Sequence, residues 1–368
     1  GSARAQEFEF GTSFGNMTEV MSTVVAFFSG PIEHFEEYAE AQRVPRPFRW
    51  DPALWKRDFQ RCQSKTDKVQ MLKRVSDHNY RLVVHKRRST GWDVPMTYSS
   101  RDILFKPGTV ETFTKSHQLP RITFAKQTTG EAAQMLLRSG KRRVVALNFA
   151  NGYTVGGGYI NGALAQEEDI CRQCPLLYTS LQNAERQRFY PFGPSAAIDP
   201  STGQIVDRRK YVEVLFTPDV PIHRGSQATG YEMLEGSTPS RVSFVSAAAP
   251  NRALQEPFSP DAIKQTLTIA MLFPQQLVED WSAQRGDWSD PLYDTIVLGA
   301  WGCGAFHNPP ETMAALFADV VLQVGTAYTR VHFAIPEMGD ENYAVFFKVF
   351  KERFSHVQEV DAQDKVIQ

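Results

Sequence analysis

Two adjacent acids, Glu167 and Glu168, follow three consecutive glycines, Gly156, Gly157 and Gly158. Carboxyl groups are common general acids and bases in enzymes. Glycine has no Cβ and tolerates positive φ, so the loop can bring its backbone very close to a ligand. Adjacent residues on a helix point about 100° apart, so the two acids cannot have identical roles. The pattern indicates a loop that holds a polar ligand against one acid while the other acid orients or binds it.

A second glycine-rich stretch follows another apolar run, at 295–298. Backbone N–H groups in such loops, helped by the N-terminus of the next helix, bind anions. The stretch is therefore a candidate cradle for a diphosphate. It comprises Gly302, Cys303, Gly304, Ala305 and Phe306. Neither loop has the Walker or the Rossmann glycine pattern. Taken alone, each loop is better explained by tight turns and close packing, and the acids by the ordinary preference for carboxylates in the first turn of a helix.

The elements that must position these residues alternate along the chain after residue 120. Apolar runs predict strands at 122–125, 144–149, 211–216, 242–248, 295–298 and 331–335. Helical periodicity is found at 130–137, 163–169, 176–188, 261–277, 311–324 and 342–354. Such alternation is typical of an α/β domain with a largely parallel sheet between layers of helices. Before residue 80 the pattern favours helices, at 32–41 and 55–75, and 82–84 is compatible with a strand.

The composition excludes several classes of protein. The 368 residues carry a net charge of −1 and are 42% hydrophobic, so a sizeable core is expected, and no overall field attracts nucleic acid or an anionic membrane. No run is long enough to span a membrane. Four cysteines are too few for a disulfide scaffold, which favours a reducing compartment. The Cys171–Cys174 C-x-x-C pair lacks the second pair that a zinc site needs, and no metal site is expected.

Three glycines followed, after seven residues, by Gln166, Glu167 and Glu168 resemble the signature of the poly(ADP-ribose) glycohydrolase group of macrodomains. The likeness is greatest to the compact, bacterial-type branch. Supporting segments occur in the same order at 148–150, 161–163, 217–221 and 299–309, so the resemblance covers about 85–354. One departure is Thr154-Val155, which stands where many relatives have Asn-Pro.

The resemblance implies a macrodomain-like, three-layer α/β/α fold with a mixed sheet and an ADP-ribose cleft at its crest. The expected organisation is a leader at 1–12, a helical N-terminal extension at 13–80, the macrodomain-like glycohydrolase domain at 81–358 and a C-terminal tail at 359–368.

The resemblance also assigns roles to residues that match the family's motif. Glu168 would be the catalytic acid, and Glu167 would hydrogen-bond ribose hydroxyls near the scissile bond. Asn151 would hold the distal ribose. The glycines at 156–158, together with Gln166, would lie against the substrate, and 302–306 would wrap the diphosphate with Phe306 packed on the ribose. No cofactor is implied. The adenine platform is not assigned: Tyr343, Phe346 and Phe347 are candidates, although aromatics at that spacing more often pack in the core.

The implied activity is hydrolysis of ribose–ribose O-glycosidic bonds in poly(ADP-ribose), mainly from chain ends. It would release ADP-ribose and reverse ADP-ribosylation, as in the DNA damage response. The expected partners are poly(ADP-ribose) or ADP-ribosylated proteins as substrate and ADP-ribose as product, with no membrane, no direct nucleic-acid binding and a monomeric chain. The expected location is intracellular, cytoplasmic or nuclear. Two alternatives stay open: hydrolysis of another ADP-ribose linkage on protein or nucleic acid, and a non-catalytic ADP-ribose-binding module.

Overall fold

The structure, a computed structural model, describes residues 47–90, 92–102, 119–140, 143–199, 201–234, 239–289 and 291–367. The chain divides into residues 1–45, which include the helix expected at 32–41 and lie outside the described ranges, and a compact unit of residues 46–368. In the described part of the chain, no helix has the length and apolar character needed to cross a membrane.

In the described residues of the compact unit, eight strands form one mixed sheet in the order β1-β4-β5-β3-β6-β7-β2-β8. The strands are β1 Tyr98–Ser99, β2 Arg121–Ala125, β3 Val144–Phe149, β4 Leu215–Pro221, β5 Arg241–Ala247, β6 Thr295–Leu298, β7 Arg330–Ala334 and β8 Val357–Glu359. Strand β3 pairs in parallel with β5 on one side and β6 on the other, whereas β4 is antiparallel to its two neighbours. The loops that follow β3, β5 and β6 therefore leave the sheet at one edge.

Nine α-helices lie within the described ranges. They are α1 Pro52–Arg61, α2 Lys65–Thr90, α3 Thr129–Arg138, α4 Gln166–Gln173, α5 Pro175–Arg186, α6 Arg208–Tyr211, α7 Pro260–Arg285, α8 Pro310–Val324 and α9 Asn342–Arg353. Side chains of β3 alternate between two cores: Val145 and Leu147 pack with α7, α8 and α9, while Val144 and Ala146 pack with α3, α4 and α5. Both faces of the sheet are thus covered, which explains the continuous apolar run of β3. The predicted macrodomain-like α/β/α fold with a mixed sheet is confirmed.

Several element boundaries differ from those expected. Helix α2 includes 82–84, so the possible strand there is wrong, and the helix expected at 55–75 is two helices separated at Cys62–Ser64. Because α2 runs continuously to Thr90, the boundary expected between residues 80 and 81 falls inside a helix. Strand β4 begins at Leu215 and continues to Pro221, later than the predicted 211–216, since residues 208–211 form the short helix α6.

Candidate active site

The side chain of Gln166 ties helix α4 to the end of β3. Its Oε1 accepts from the backbone N–H of Phe149 at 2.9 Å, and its Nε2 donates to the carbonyl of Leu147 at 2.7 Å and to Thr129 Oγ1 at 2.9 Å. Gln166 was expected to bind substrate, yet its amide oxygen and nitrogen are both bonded to protein groups. It fixes where the first turn of α4, and with it the acid pair, meets the sheet.

Glu167 lies inside the protein beneath the start of the glycine loop, with 3% of its surface exposed. The N–H of Asn151 donates to Oε2 at 2.8 Å, and Asn148 Nδ2 donates to Oε1 at 3.2 Å. Burial raises the pKa of Glu167 to about 8, and the nearby Glu168 adds to the rise, while the two hydrogen bonds oppose it. Glu167 is therefore mostly protonated at neutral pH.

Glu168 faces the glycine loop and is 7% exposed. The N–H of Gly158 donates to its Oε1 at 2.7 Å. A Cβ at Gly157 would lie only 2.5 Å from the same oxygen, and φ there is +55°, so this position requires glycine for both space and conformation. The second oxygen of Glu168, Oε2, is buried without a hydrogen-bond partner in the described structure. One oxygen is thus held by the loop, and the other has no protein partner among the described residues.

The glycine loop has its own internal support. Asn151 Oδ1 accepts from the N–H groups of Tyr153 and Thr154, both at 2.9 Å, which fixes the entry to the loop. The Thr154 carbonyl accepts from the N–H of Gly157 at 3.0 Å, and the Val155 side chain is buried. The departure from the family at Thr154-Val155 therefore leaves a closed, hydrogen-bonded turn ahead of the acids.

The second loop follows β6 and is fixed by two polar side chains that the sequence reasoning missed. Trp301 is buried and its Nε1 donates to the carbonyl of Ala247, at the end of β5, at 2.9 Å. Asn308 Nδ2 donates to the carbonyls of Pro250 and Gly302 at 2.8 and 3.0 Å. The sequence does hold a sign of this role. Trp301 and Asn308 stand at the two ends of a glycine-rich segment, where such side chains can hydrogen-bond backbone carbonyls.

The predicted diphosphate residues lie on the outer side of this loop. Gly304 and Ala305 are exposed, and Gly302, Cys303 and Phe306 are half-buried. A Cβ at Gly304 would have no neighbour within 4 Å, so open space borders the backbone here. Burial raises the pKa of the Cys303 thiol to about 12, which keeps it neutral. The loop can therefore offer backbone N–H groups, rather than a charged side chain of its own, to an anion.

The two loops begin side by side. The N–H of Ala150 donates to the Ala247 carbonyl at 3.0 Å, the same carbonyl that accepts from Trp301. A Cβ at Gly299 would lie 2.9 Å from the ring of Phe149. The structure thus brings together the starts of the glycine loop and the second loop at the carboxyl ends of neighbouring parallel strands, where α/β proteins bind ligands.

The aromatic candidates for adenine have different environments. Phe346 is fully buried in the core. Tyr343 and Phe347 stack with ring centroids 5.8 Å apart and line a cavity of about 560 Å³ together with Lys126, just beyond the end of β2. Cys171 and Cys174 are buried thiols whose pKa values are raised by burial. Among the residues described, no three His, Cys, Asp or Glu side chains form a group able to hold a metal ion.

Residues 70–225 match the model of a known family, microbial-type PARG (poly(ADP-ribose) glycohydrolase), catalytic domain. The match begins inside α2, earlier than the residue 85 expected from sequence, and includes the glycine loop and the acid pair. The predicted resemblance to bacterial-type poly(ADP-ribose) glycohydrolases is confirmed, and with it the enzyme class of glycoside hydrolases. A search of the curated proteins finds no match.

Solved structures of bacterial enzymes share the fold. The poly(ADP-ribose) glycohydrolase of Thermomonospora curvata bound to the inhibitor ADP-HPD is 24% identical, with a TM-score of 0.53, over 77% of this chain and 100% of that one. The Deinococcus radiodurans poly(ADP-ribose) glycohydrolase in complex with ADP-ribose is 23% identical, with a TM-score of 0.53, over 73% of this chain and 97% of that one.

Proposed function

We propose that this chain, whose residues 70–225 carry a microbial-type poly(ADP-ribose) glycohydrolase catalytic domain, hydrolyses the ribose–ribose O-glycosidic bonds of poly(ADP-ribose) and releases ADP-ribose. The observation that carries the proposal is the state of Glu168. One of its oxygens is held by the N–H of Gly158 in the glycine loop, and the other is buried and has no hydrogen-bond partner in the described structure. A carboxyl group in this state is placed to transfer a proton to a bound ligand.

The reaction needs one group that first gives and then takes a proton. Glu168, in its acid form, protonates the leaving 2′-oxygen as the bond from that oxygen to the ribose C1 breaks. Positive charge then develops on the ribose as an oxocarbenium-like state. The carboxylate left on Glu168 takes a proton from water as the water oxygen bonds to C1, which restores the acid form. General acid–base catalysis of this kind contributes roughly 10² to 10⁴ in rate.

Glu167 has a different part in this scheme. A neutral carboxyl group both donates and accepts hydrogen bonds, which suits contact with ribose hydroxyls near the scissile bond. Its raised pKa of about 8 also means that it does not repel the charge that Glu168 acquires on giving up its proton. The pair therefore divides the work between binding and proton transfer.

The remaining contacts are those that the family resemblance implies, and the positions of the two loops support them. Asn151 holds the distal ribose, the backbone at 156–158 approaches that ribose and the diphosphate, and 302–306 wraps the diphosphate with Phe306 against the ribose. Gln166 contributes by fixing α4 to β3. We further infer cleavage mainly from chain ends, a monomeric enzyme and an intracellular location. The location is supported by four cysteines that are all free thiols.

The test is the release of ADP-ribose from purified poly(ADP-ribose) by the wild type, Glu168→Gln and Glu167→Gln. The wild type should release single ADP-ribose units from the start of the reaction, and Glu168→Gln should lose at least about 10²-fold in kcat while still binding ADP-ribose. Wild-type protein that binds ADP-ribose but cleaves no polymer would contradict the proposal and favour a binding module. Cleavage of mono-ADP-ribosylated protein or nucleic acid alone would favour the other hydrolase, and early release of oligomers would contradict action from chain ends.

A further inference from the structure

Helix α2 packs against the end of the glycine loop. Ser76 Oγ donates to the carbonyl of Tyr159 at 2.8 Å. A Cβ at Gly162 would lie 2.2 Å from the carbonyl oxygen of Val69, so loop and helix backbones are in direct contact. The expected helical N-terminal extension at 13–80 thus includes residues that contact the loop whose Gly158 N–H binds Glu168.

One side chain on α2, Asn79, bonds the loop and the acid-bearing helix at the same time. It is 0% exposed. Its Nδ2 donates to Tyr159 Oη at 3.1 Å and to the carbonyl of Arg172 at 2.9 Å. Tyr159 directly follows Gly158, and Arg172 lies one helical turn after Glu168 on α4. Asn79 therefore connects the two segments that bring the Gly158 N–H and the Glu168 carboxylate within 2.7 Å of each other.

A buried arginine fixes which way the Asn79 amide points. Arg224 is also 0% exposed, and its Nε donates to Asn79 Oδ1 at 2.6 Å. The guanidinium has no acceptor, so the amide oxygen must face Arg224 and the amide nitrogen must face Tyr159 and Arg172. Arg224 is held in turn by the Tyr231 carbonyl at 2.8 Å, and its backbone N–H donates to the carbonyl of the last α4 residue at 3.1 Å.

We propose that Asn79 is a positioning residue for the reaction: through Tyr159 and Arg172 it sets the separation of the Gly158 N–H from Glu168. This inference rests on the proposed function, because the group that it positions is the proposed acid. It acts on proton transfer rather than on binding, since Asn79 is buried and bonds only protein groups.

Three variants separate this role from a general effect on folding. Asn79→Asp keeps the size and the acceptor for Arg224 but places a second acceptor against the Arg172 carbonyl. Tyr159→Phe removes only the hydroxyl that accepts from Asn79. Asp77→Ser is the matched control, because it removes an exposed 3.1 Å ion pair with Arg81 on the same helix and touches neither loop nor acid.

We expect Asn79→Asp to lower kcat on polymer by about 10- to 100-fold, since sub-ångström misplacement of a catalytic group has effects of this size. KM should change by less than about twofold, because the lost interaction acts on the transition state. Tyr159→Phe should lower kcat in the same direction by less, and Asp77→Ser should leave both constants unchanged. Amide hydrogen exchange at Gly158 in the free enzyme should quicken in Asn79→Asp and stay as in wild type in Asp77→Ser.

Wild-type kcat in a folded Asn79→Asp variant would overturn the inference, as would a rise in KM with kcat unchanged or Gly158 exchange equal to that of wild type. If Asn79→Asp does not fold, Tyr159→Phe decides by the same measurements. If the wild type itself cleaves no polymer, the proposed function fails, and the Gly158 exchange still decides whether Asn79 holds the loop and the acid together.

Discussion

Replacing Gly157 with alanine tests the geometry of the site most directly. The added Cβ would lie 2.5 Å from Glu168 Oε1 and 3.1 Å from Glu167 Oε2. Ordinary contacts begin at 3.4 Å, so the Glu168 oxygen has to retreat by about 0.9 Å. That movement takes the Glu168 carboxylate away from the Gly158 N–H, with which it forms a 2.7 Å hydrogen bond.

We expect Gly157→Ala to lower kcat more than it lowers stability. The clashing atoms are the ends of two side chains, which can move, rather than backbone. Alanine at φ +55° adds strain of about 1 to 2 kcal/mol, which corresponds to roughly 1.5–3 °C in melting temperature for a domain of this size. Displacement of a catalytic group by nearly 1 Å, in contrast, costs about 10²-fold in rate. We therefore expect kcat on polymer to fall by about 10²-fold with only a modest loss of stability.

The matched control is Gly286→Ala, at the C-terminal end of α7. Gly286 has φ +64°, and a Cβ there would meet nothing within 4 Å. The Gly286→Ala substitution imposes the same backbone strain as Gly157→Ala but causes no clash. It should therefore lower the melting temperature by a similar amount and leave kcat unchanged. Measuring initial rates of ADP-ribose release alongside melting curves separates the two effects. Gly157→Ala with wild-type kcat would refute the placement of Glu168 against the loop.

Three further outcomes are expected. The raised pKa of Glu167 means that the folded protein binds the Glu167 proton more tightly than the unfolded chain does. Stability should therefore fall as pH rises from the ordinary glutamate pKa of 4.5 to about 8, by at most about 1.4 kcal/mol per pH unit. Glu167→Gln should abolish this part of the slope in denaturant titrations. Asn308→Ala removes the bond to the Gly302 carbonyl and should weaken ADP-ribose binding about tenfold by calorimetry, with a folded protein of unchanged affinity as the contrary result. Thr128→Ala breaks the capping box with Glu131 at the start of α3 and should lower the free energy of unfolding by about 1 kcal/mol without changing kcat; no change in stability would contradict that assignment.

The central strands were predictable because their sequences leave few alternatives. β3 and β6 were expected at 144–149 and 295–298 and are found there, since continuous apolar runs are stable only with both faces covered. Strand β4 was misplaced because its segment includes two prolines and a bulge, which hide the alternation of a strand. The C-terminal part of helix α2 was predicted as a possible strand, because a short run of branched residues at 82–84 favours a strand locally. In the structure Leu82 and Val83 are buried side chains of the helix.

The site shows the same division between local and non-local information. The glycines and acids could be found because their chemistry depends on neighbours in sequence. Asn79 and Arg224 could not, since their importance comes from contacts 145 residues apart in the chain. The sequence also does not show that Gln166 faces β3. A glutamine next to two acids is equally suited to binding a ligand, and only the structure shows that its amide is hydrogen-bonded to the backbone of β3.

Two identical side chains at adjacent positions, Glu167 and Glu168, have different hydrogen bonds. Glu167 receives a donor on each oxygen, from Asn151 and Asn148, and burial keeps its proton in place at neutral pH. Glu168 receives one donor, on one oxygen. A general acid–base must change its protonation state twice in each turnover, which requires an oxygen that no protein group already occupies. Because only Glu168 of this pair has such an oxygen in the described structure, we propose proton transfer for Glu168 and ribose binding for Glu167.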